Sequence, residues 1–208
     1  NHQSQFYFHA KPGIAPVTGF GDRHVVMLVT AGDGEVNIGG RRFAVSPNTG
    51  VYVRPGELFQ LQASEPLSVF VSVGPLAEAP TWHDTMADTF DAAHPNRTIG
   101  TDESQRQTMA NRFFQILVDK SLGSDLVTQF IGEIPLSKAV PHRHLYEESL
   151  VVIKGKGFIW TENAKAAVST GDVIFLPRKQ IHSLECTDPD GMFVAGVIYP
   201  GNNPSINY

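Results

Sequence analysis

Apolar and polar positions along this chain alternate in short runs, and the 3.6-residue period of amphipathic helices is scarce. Val25–Thr30, Gly34–Ile38, Arg42–Val45 and Gly50–Arg54 are β-branched or apolar stretches, cut by Gly-Asp-Gly at 32–34 and Gly-Gly at 39–40. The habit returns in Arg112–Val118, Leu126–Ile134, Ser149–Ile153, Gly157–Thr161, Asp172–Leu176 and Met192–Ile198. Such spacing, close to the roughly 8–12 residues per strand of sandwiches and barrels, predicts an all-β chain. The middle differs. Glu78–Ala93 is expected to hold one or two helical turns, and residues 76–110 read as a short, partly helical linker.

The pattern repeats. Ala31-Gly-Asp-Gly34 aligns with Lys154-Gly-Lys-Gly157 at an offset of 123, and Pro55 after Gly-Val-Tyr-Val-Arg aligns with Pro177 after Val-Ile-Phe-Leu at 122. Both halves read as strand, tight glycine turn, strand, turn, strand ending in proline. The expected organisation is one domain over 1–75, a linker over 76–110 and a second domain over 111–208.

Composition narrows the classes. With 21 acidic against 16 basic residues the formal charge is −5, which argues against a general nucleic-acid binder. No apolar run approaches the ~20 residues of a membrane-spanning helix. No charged segment leading into an apolar one suggests a signal peptide. The one cysteine, Cys186, excludes an internal disulfide framework and a cysteine-rich zinc site, and a free thiol fits a cytoplasmic location.

Candidate chemistry begins at Pro141-His142-Arg-His144-Leu-Tyr146-Glu-Glu148. On a strand, His142 and His144 share a face, and Glu148 has the same parity. His182 follows 34 residues after Glu148, in Gly171-Asp-Val-Ile-Phe-Leu-Pro177-Arg-Lys-Gln-Ile-His182. Three imidazoles and a carboxylate can close around one divalent first-row cation; Fe, Mn, Ni, Zn and Co all accept such a donor set. Subtracting the offset places Gly19, Gly21, Val25 and Gln60 where the four ligands would fall in the first half. None of them holds a cation, and His24, one residue from the Glu148 position, makes no site alone.

These two stretches, 142–155 and 171–182, resemble the two conserved motifs of the cupin superfamily. The first lacks its opening glycine, with Leu136 near that place; the second has Lys179 in place of a glycine and Cys186 where asparagine often stands. The resemblance implies double-stranded β-helix (jelly-roll) barrels, two in tandem, with His142, His144, Glu148 and His182 as metal ligands in the C-terminal barrel and a degenerate N-terminal one. It also implies a homodimer.

Parity places Tyr146 on the inward face, where its phenol would bond a substrate or donate a proton, against the plainer role of lining the barrel. Glu147 is expected outside, and Leu184 and Cys186 inside, with Cys186 as a small buried hydrophobe. Phe130, Phe175, Met192 and Ile198 are expected in the apolar wall, while the facing of Phe158 and Trp160 stays open. Arg143, Arg178 and Lys179 flank ligands and are expected on the surface, or at the mouth against an anionic substrate.

Two functions follow as expectations. One is a mononuclear metal enzyme acting on a small polar or anionic metabolite; dioxygenase, decarboxylase, isomerase and hydrolase remain unseparated. The alternative is a non-catalytic small-molecule sensor. The intact ligand set in one half favours the enzyme.

Overall fold

The computed structural model describes residues 2–204 and Tyr208. Its regular secondary structure is almost wholly β-strand, as the alternation predicts, and the chain divides into two compact units. One runs to Thr101 and includes Leu117–Val127; the other comprises Asp102–Ile116 and Thr128–Tyr208.

In the first unit the strands are β1 (Ser4–Ala10), β2 (Gly13–Ile14), β3 (Val17–Gly19), β4 (His24–Ala31), β5 (Gly34–Ile38), β6 (Arg41–Val45), β7 (Gly50–Val53), β8 (Phe59–Ala63), β9 (Leu67–Gly74), β10 (Thr81–His83) and β11 (Thr98–Ile99). They form two antiparallel sheets, ordered β1-β9-β4-β7-β11 and β10-β3-β8-β5-β6, with β2 also on β8. The inward faces meet in one hydrocarbon core that includes Phe20, Met27, Val36, Phe59 and Val71.

The second unit holds β12 (Gln107–Met109), β13 (Arg112–Val118), β14 (Thr128–Ile134), β15 (Ser137–Lys138), β16 (Glu147–Lys154), β17 (Lys156–Thr161), β18 (Lys165–Ser169), β19 (Val173–Leu176), β20 (His182–Cys186) and β21 (Met192–Tyr199). Its sheets run β12-β13-β14-β21-β16-β19 and β15-β20-β17-β18. The order β14-β21-β16-β19 reproduces β1-β9-β4-β7, and β20-β17-β18 reproduces β8-β5-β6. The bulge between Val29 and Ala31 on β4 recurs between Val152 and Lys154 on β16, and the following turns carry Gly32 (φ 82°) and Gly155 (φ 89°). Left-handed backbone is open to glycine at no steric cost, so the aligned Gly signals mark equivalent turns.

The helical expectation at Glu78–Ala93 fails. That stretch holds only β10, paired with β3, followed by bends and irregular chain. Its Thr, Asp and Pro residues offer the backbone local side-chain bonds or deny it a donor, both of which favour turns. Within 76–110 the described helical content is one 3₁₀ turn, Glu103–Gln105, capped by Asp102. Among the described residues no helix is long and apolar enough to cross a membrane.

Candidate metal centre

The site is assembled in the second unit from one irregular segment and two strand ends. Residues 139–146 are not a continuous strand; β16 begins only at Glu147. Shared parity along one strand therefore does not bring His142 and His144 together. His142 instead forms an isolated bridge with His182 at the start of β20, each N–H donating to the other's carbonyl at 3.0 and 2.9 Å. His144 is tied by its carbonyl, which accepts from Lys179 N at 2.7 Å. Lys179 has φ 66°, so the lysine adopts the left-handed backbone of the glycine it replaces in the motif.

The result is convergence. One ring nitrogen from each of His142, His144 and His182 lies within 4.8 Å of the other two. Glu148 Oε2 is 3.3 Å from His144 Nε2 and 4.0 Å from His182 Nε2. His144, Glu148 and His182 are buried and His142 is half-buried.

The outer nitrogens set the ring states. His142 Nδ1 lies 2.8 Å from the Val140 carbonyl and His182 Nδ1 2.9 Å from that of Gln180. A carbonyl only accepts, so Nδ1 carries the proton in both rings and Nε2 keeps its lone pair. Burial lowers the pKa of both rings below the ordinary histidine value, which favours the neutral form a metal needs. Ring nitrogens within 4.8 Å of one another, with a carboxylate oxygen 3.3 and 4.0 Å from two of them, suit a shared cation. The donor set therefore fits a divalent ion.

Beside the four donors opens a cavity of about 440 Å³. Its wall is largely hydrocarbon, with Phe114, Phe130, Ile134, Leu150, Leu184 and Val194 among the lining residues. Arg112 also lines it, at the start of β13, directly after the turn at Ala110 and Asn111. Arg112 Nη2 donates to the Leu184 carbonyl at 2.9 Å. Sequence reasoning missed this arginine. The signal available was the polar Asn111-Arg112 pair at the edge of an apolar run, which strand assignment alone treats as a surface start.

Other expected residues fall as follows. Tyr146 is buried, stacks on His144 (centroids 4.6 Å apart, planes at 12°) and donates its hydroxyl to the Pro204 carbonyl at 3.0 Å. It does not line the cavity. Burial, with Glu148 and Tyr208 adding, holds its phenol far above the ordinary value. This geometry does not carry the proton-donor role. Glu147, expected on the surface, is buried at 4% exposure, because β16 is covered on both faces, as Ser149 at 0% and Val151 at 0% confirm. Leu184 and Cys186 do face inward. Phe158 and Trp160 face away from the core, under Lys165 and Lys138, and Arg143, Arg178 and Lys179 are exposed and line no part of the cavity. Phe130 is in the wall and Met192 in the core, but Phe175 pairs with Ser149 on the opposite face.

In the first unit Thr18 pairs with Phe59 where His142 pairs with His182, so Phe59, and not Gln60, takes the last ligand's place. Val25 pairs with Val53 as Glu148 pairs with Leu176, which confirms that valine opposite the glutamate. His24 Nδ1 is engaged by the Tyr52 hydroxyl at 2.7 Å.

The AraC-like ligand binding domain model matches residues 18–129, more than half of the chain, and the Cupin domain model matches 134–198. The chain belongs to the cupin superfamily. No curated protein matches this cupin by sequence. Among solved structures it is similar to oxalate decarboxylase from Bacillus subtilis at pH 4.6 (TM-score 0.76, 14% identity, 97% of this chain and 69% of that one). It is also similar to procruciferin, an 11S globulin from Brassica napus (TM-score 0.76, 10% identity, 97% and 78%). A third likeness is to the decarboxylase structure used to assign EPR parameters of its Mn(II) centres (TM-score 0.73, 13% identity, 97% and 70%). At such identities the likeness speaks to the fold.

Proposed function

We propose that this cupin is a bicupin with a degenerate N-terminal barrel. Its C-terminal barrel holds one divalent first-row metal on His142, His144, His182 and Glu148 and acts as an enzyme on a small polar or anionic metabolite. The observation that carries the reading is the convergence of three imidazoles, two with their Nδ1 protons fixed on backbone carbonyls, beside a cavity of about 440 Å³. Such a volume is typical of small-molecule sites. A bound ion supplies Lewis-acid polarisation of a coordinated oxygen. The chain's own part is to hold neutral imidazoles in place, to exclude water with the apolar wall, and to fix the His144 ring against Tyr146. Tyr146 is a positioning residue in this scheme. The Mn(II) centres named for the similar decarboxylase agree with a divalent ion.

A second reading, a small-molecule sensor, is favoured by the match of an AraC-like ligand binding domain over 18–129. Metal analysis of protein purified without added metal, followed by oxygen uptake and turnover assays with keto acids and enediols, separates the readings. Near-stoichiometric metal in the wild type, its loss in His142→Ala, and metal-dependent turnover support the enzyme. Ligand-raised thermal stability without turnover supports the sensor. Equal, negligible metal in both proteins overturns the metal site.

A further inference from the structure

Arg112 sits where a permanent cation has little reason to be. A guanidinium stays charged throughout the physiological range. Here it stands half-buried in a wall that is mostly hydrocarbon, and burial opposes its charge. Among the described residues its hydrogen-bond partner is the Leu184 carbonyl, and no carboxylate pairs with it. One carbonyl satisfies one of five N–H donors, so the fork keeps donors for a further acceptor. The side-chain carboxylates lining the same cavity are engaged elsewhere. Glu148 faces His144 and His182, and Glu133 lies 3.4 Å from Arg106.

The neighbours define the remainder of a ligand. Phe114 and Phe130 meet edge to face with centroids 6.5 Å apart, and Leu150, Ile134 and Val194 continue the wall. A dianion such as phosphate would ask for more donors and more positive charge than one guanidinium offers. The other basic side chain of the lining, Lys138, sets its ammonium over the Trp160 ring at 3.6 Å, so a monoanion with an apolar body matches both the one guanidinium that keeps donors and the hydrocarbon. The planar fork of arginine binds the two oxygens of a carboxylate together.

We propose that the cavity takes a small monocarboxylate with an apolar body, its carboxylate held by Arg112 and its body packed against Phe114, Phe130 and Leu150. Arg112 is thus the specificity-determining residue of the site. The inference deepens the enzyme reading by naming a substrate class, and it rests on that reading only for catalysis.

The test is calorimetric binding of phenylacetate and its neutral amide, phenylacetamide, to the full chain, both stripped of metal by a chelator and loaded with Mn(II). The wild type is expected to prefer the acid by at least about tenfold in both forms, as a charge-assisted pair predicts. Arg112→Gln should bring the two ligands within about twofold, and Arg112→Lys, which keeps the charge but not the fork, should fall between. Circular dichroism of each variant checks folding, and the lysine variant carries the test if the glutamine variant unfolds. An undiminished preference in both variants, no preference in the wild type, or no binding of either ligand at millimolar concentration overturns the proposal. A wild type that takes up no metal yet shows the Arg112-dependent preference overturns the metal reading and leaves this one standing. A metal-replete protein without the preference does the reverse.

Discussion

Phe59 and His182 open the same strand of the two units, and around them the same plan has two different interiors. In the first unit Phe59 stacks with Phe8 at 6.4 Å and Phe20 at 6.5 Å, and Phe20 meets Phe6 at 5.3 Å. Rings fill the space between the sheets. In the second unit the matching place holds imidazoles, a carboxylate and a cavity. Strand order, bulges and turns are shared, so they do not decide which interior forms. A few inward positions do: Thr18, Val25 and Phe59 in one unit, His142, Glu148 and His182 in the other. Both units keep an apolar cluster, and the second holds a cavity beside its polar residues. The comparison predicts that the first unit is the more sensitive to lost core volume and the second to lost polar partners.

The largest effect tests that asymmetry directly. Phe59→Ala removes a ring that is 1% exposed and should destabilise by about 3–5 kcal/mol. Phe130→Ala removes a half-buried ring that already borders a cavity, so its cost should be about half as large. Urea unfolding of both variants, with midpoints compared at equal slope, decides the matter. Equal losses would mean that the second interior is packed as tightly as the first.

Much of this contrast is legible in the sequence, and the failures have physical causes. The motif residues do converge: His142, His144 and His182 each offer a ring nitrogen within 4.8 Å of the other two, and Glu148 stands beside His144. Strand parity does not account for their convergence: the segment carrying His142 and His144 is irregular, and a backbone bridge sets His142 beside His182. The proline alignment at 122 sets Gln60 against His182, one short of the 123 that strand pairing requires. A one-residue slip exchanges the faces of a strand, so the exposed-parity Gln60 stood in for the buried Phe59. Glu147 followed the same parity rule to the wrong side, because alternation reports exposure only on strands with one wet face. Arg112 was invisible for a different reason. Its role depends on which residues line a cavity, and β13 joins that cavity only through tertiary pairing.

A moderate effect concerns pH, and here the two units differ by residue type. His24 precedes Val25 in the first unit, as Glu147 precedes Glu148 in the second. Burial first, then the nearby Arg54, lowers the His24 pKa from 6.5, against the smaller opposing pull of Asp125. Well above pH 6.5 the ring is neutral in both folded and unfolded chains and contributes no pH dependence. As pH falls below 6.5, the unfolded chain takes a proton that the folded one resists, so stability declines until the lowered folded pKa is passed. His24→Gln keeps a polar partner for Tyr52 and should flatten the stability profile of metal-free protein in that window. An unchanged slope, followed by thermal melts from pH 7.5 to 5, would assign the dependence to other groups.

The smallest effect lies in a turn that the two units share in shape but not in residue. Gly56 has φ 81° and Lys179 has φ 66°, at the matched offset of 123. An L-residue in that region costs about 1–2 kcal/mol, which glycine avoids. Glycine also gains unfolded-state freedom that offsets part of the benefit. Lys179→Gly should therefore stabilise the second unit by about 0.5–1 kcal/mol. Gly56→Ala should cost the first unit a similar amount. A Cβ at Gly56 meets nothing within 4 Å, so that variant isolates the backbone term from any clash. The Lys179 amide still reaches the His144 carbonyl after substitution, and metal affinity should stay unchanged. A stabilised variant that also loses metal would show that the lysine side chain, and not only its amide, holds the ligand segment in place.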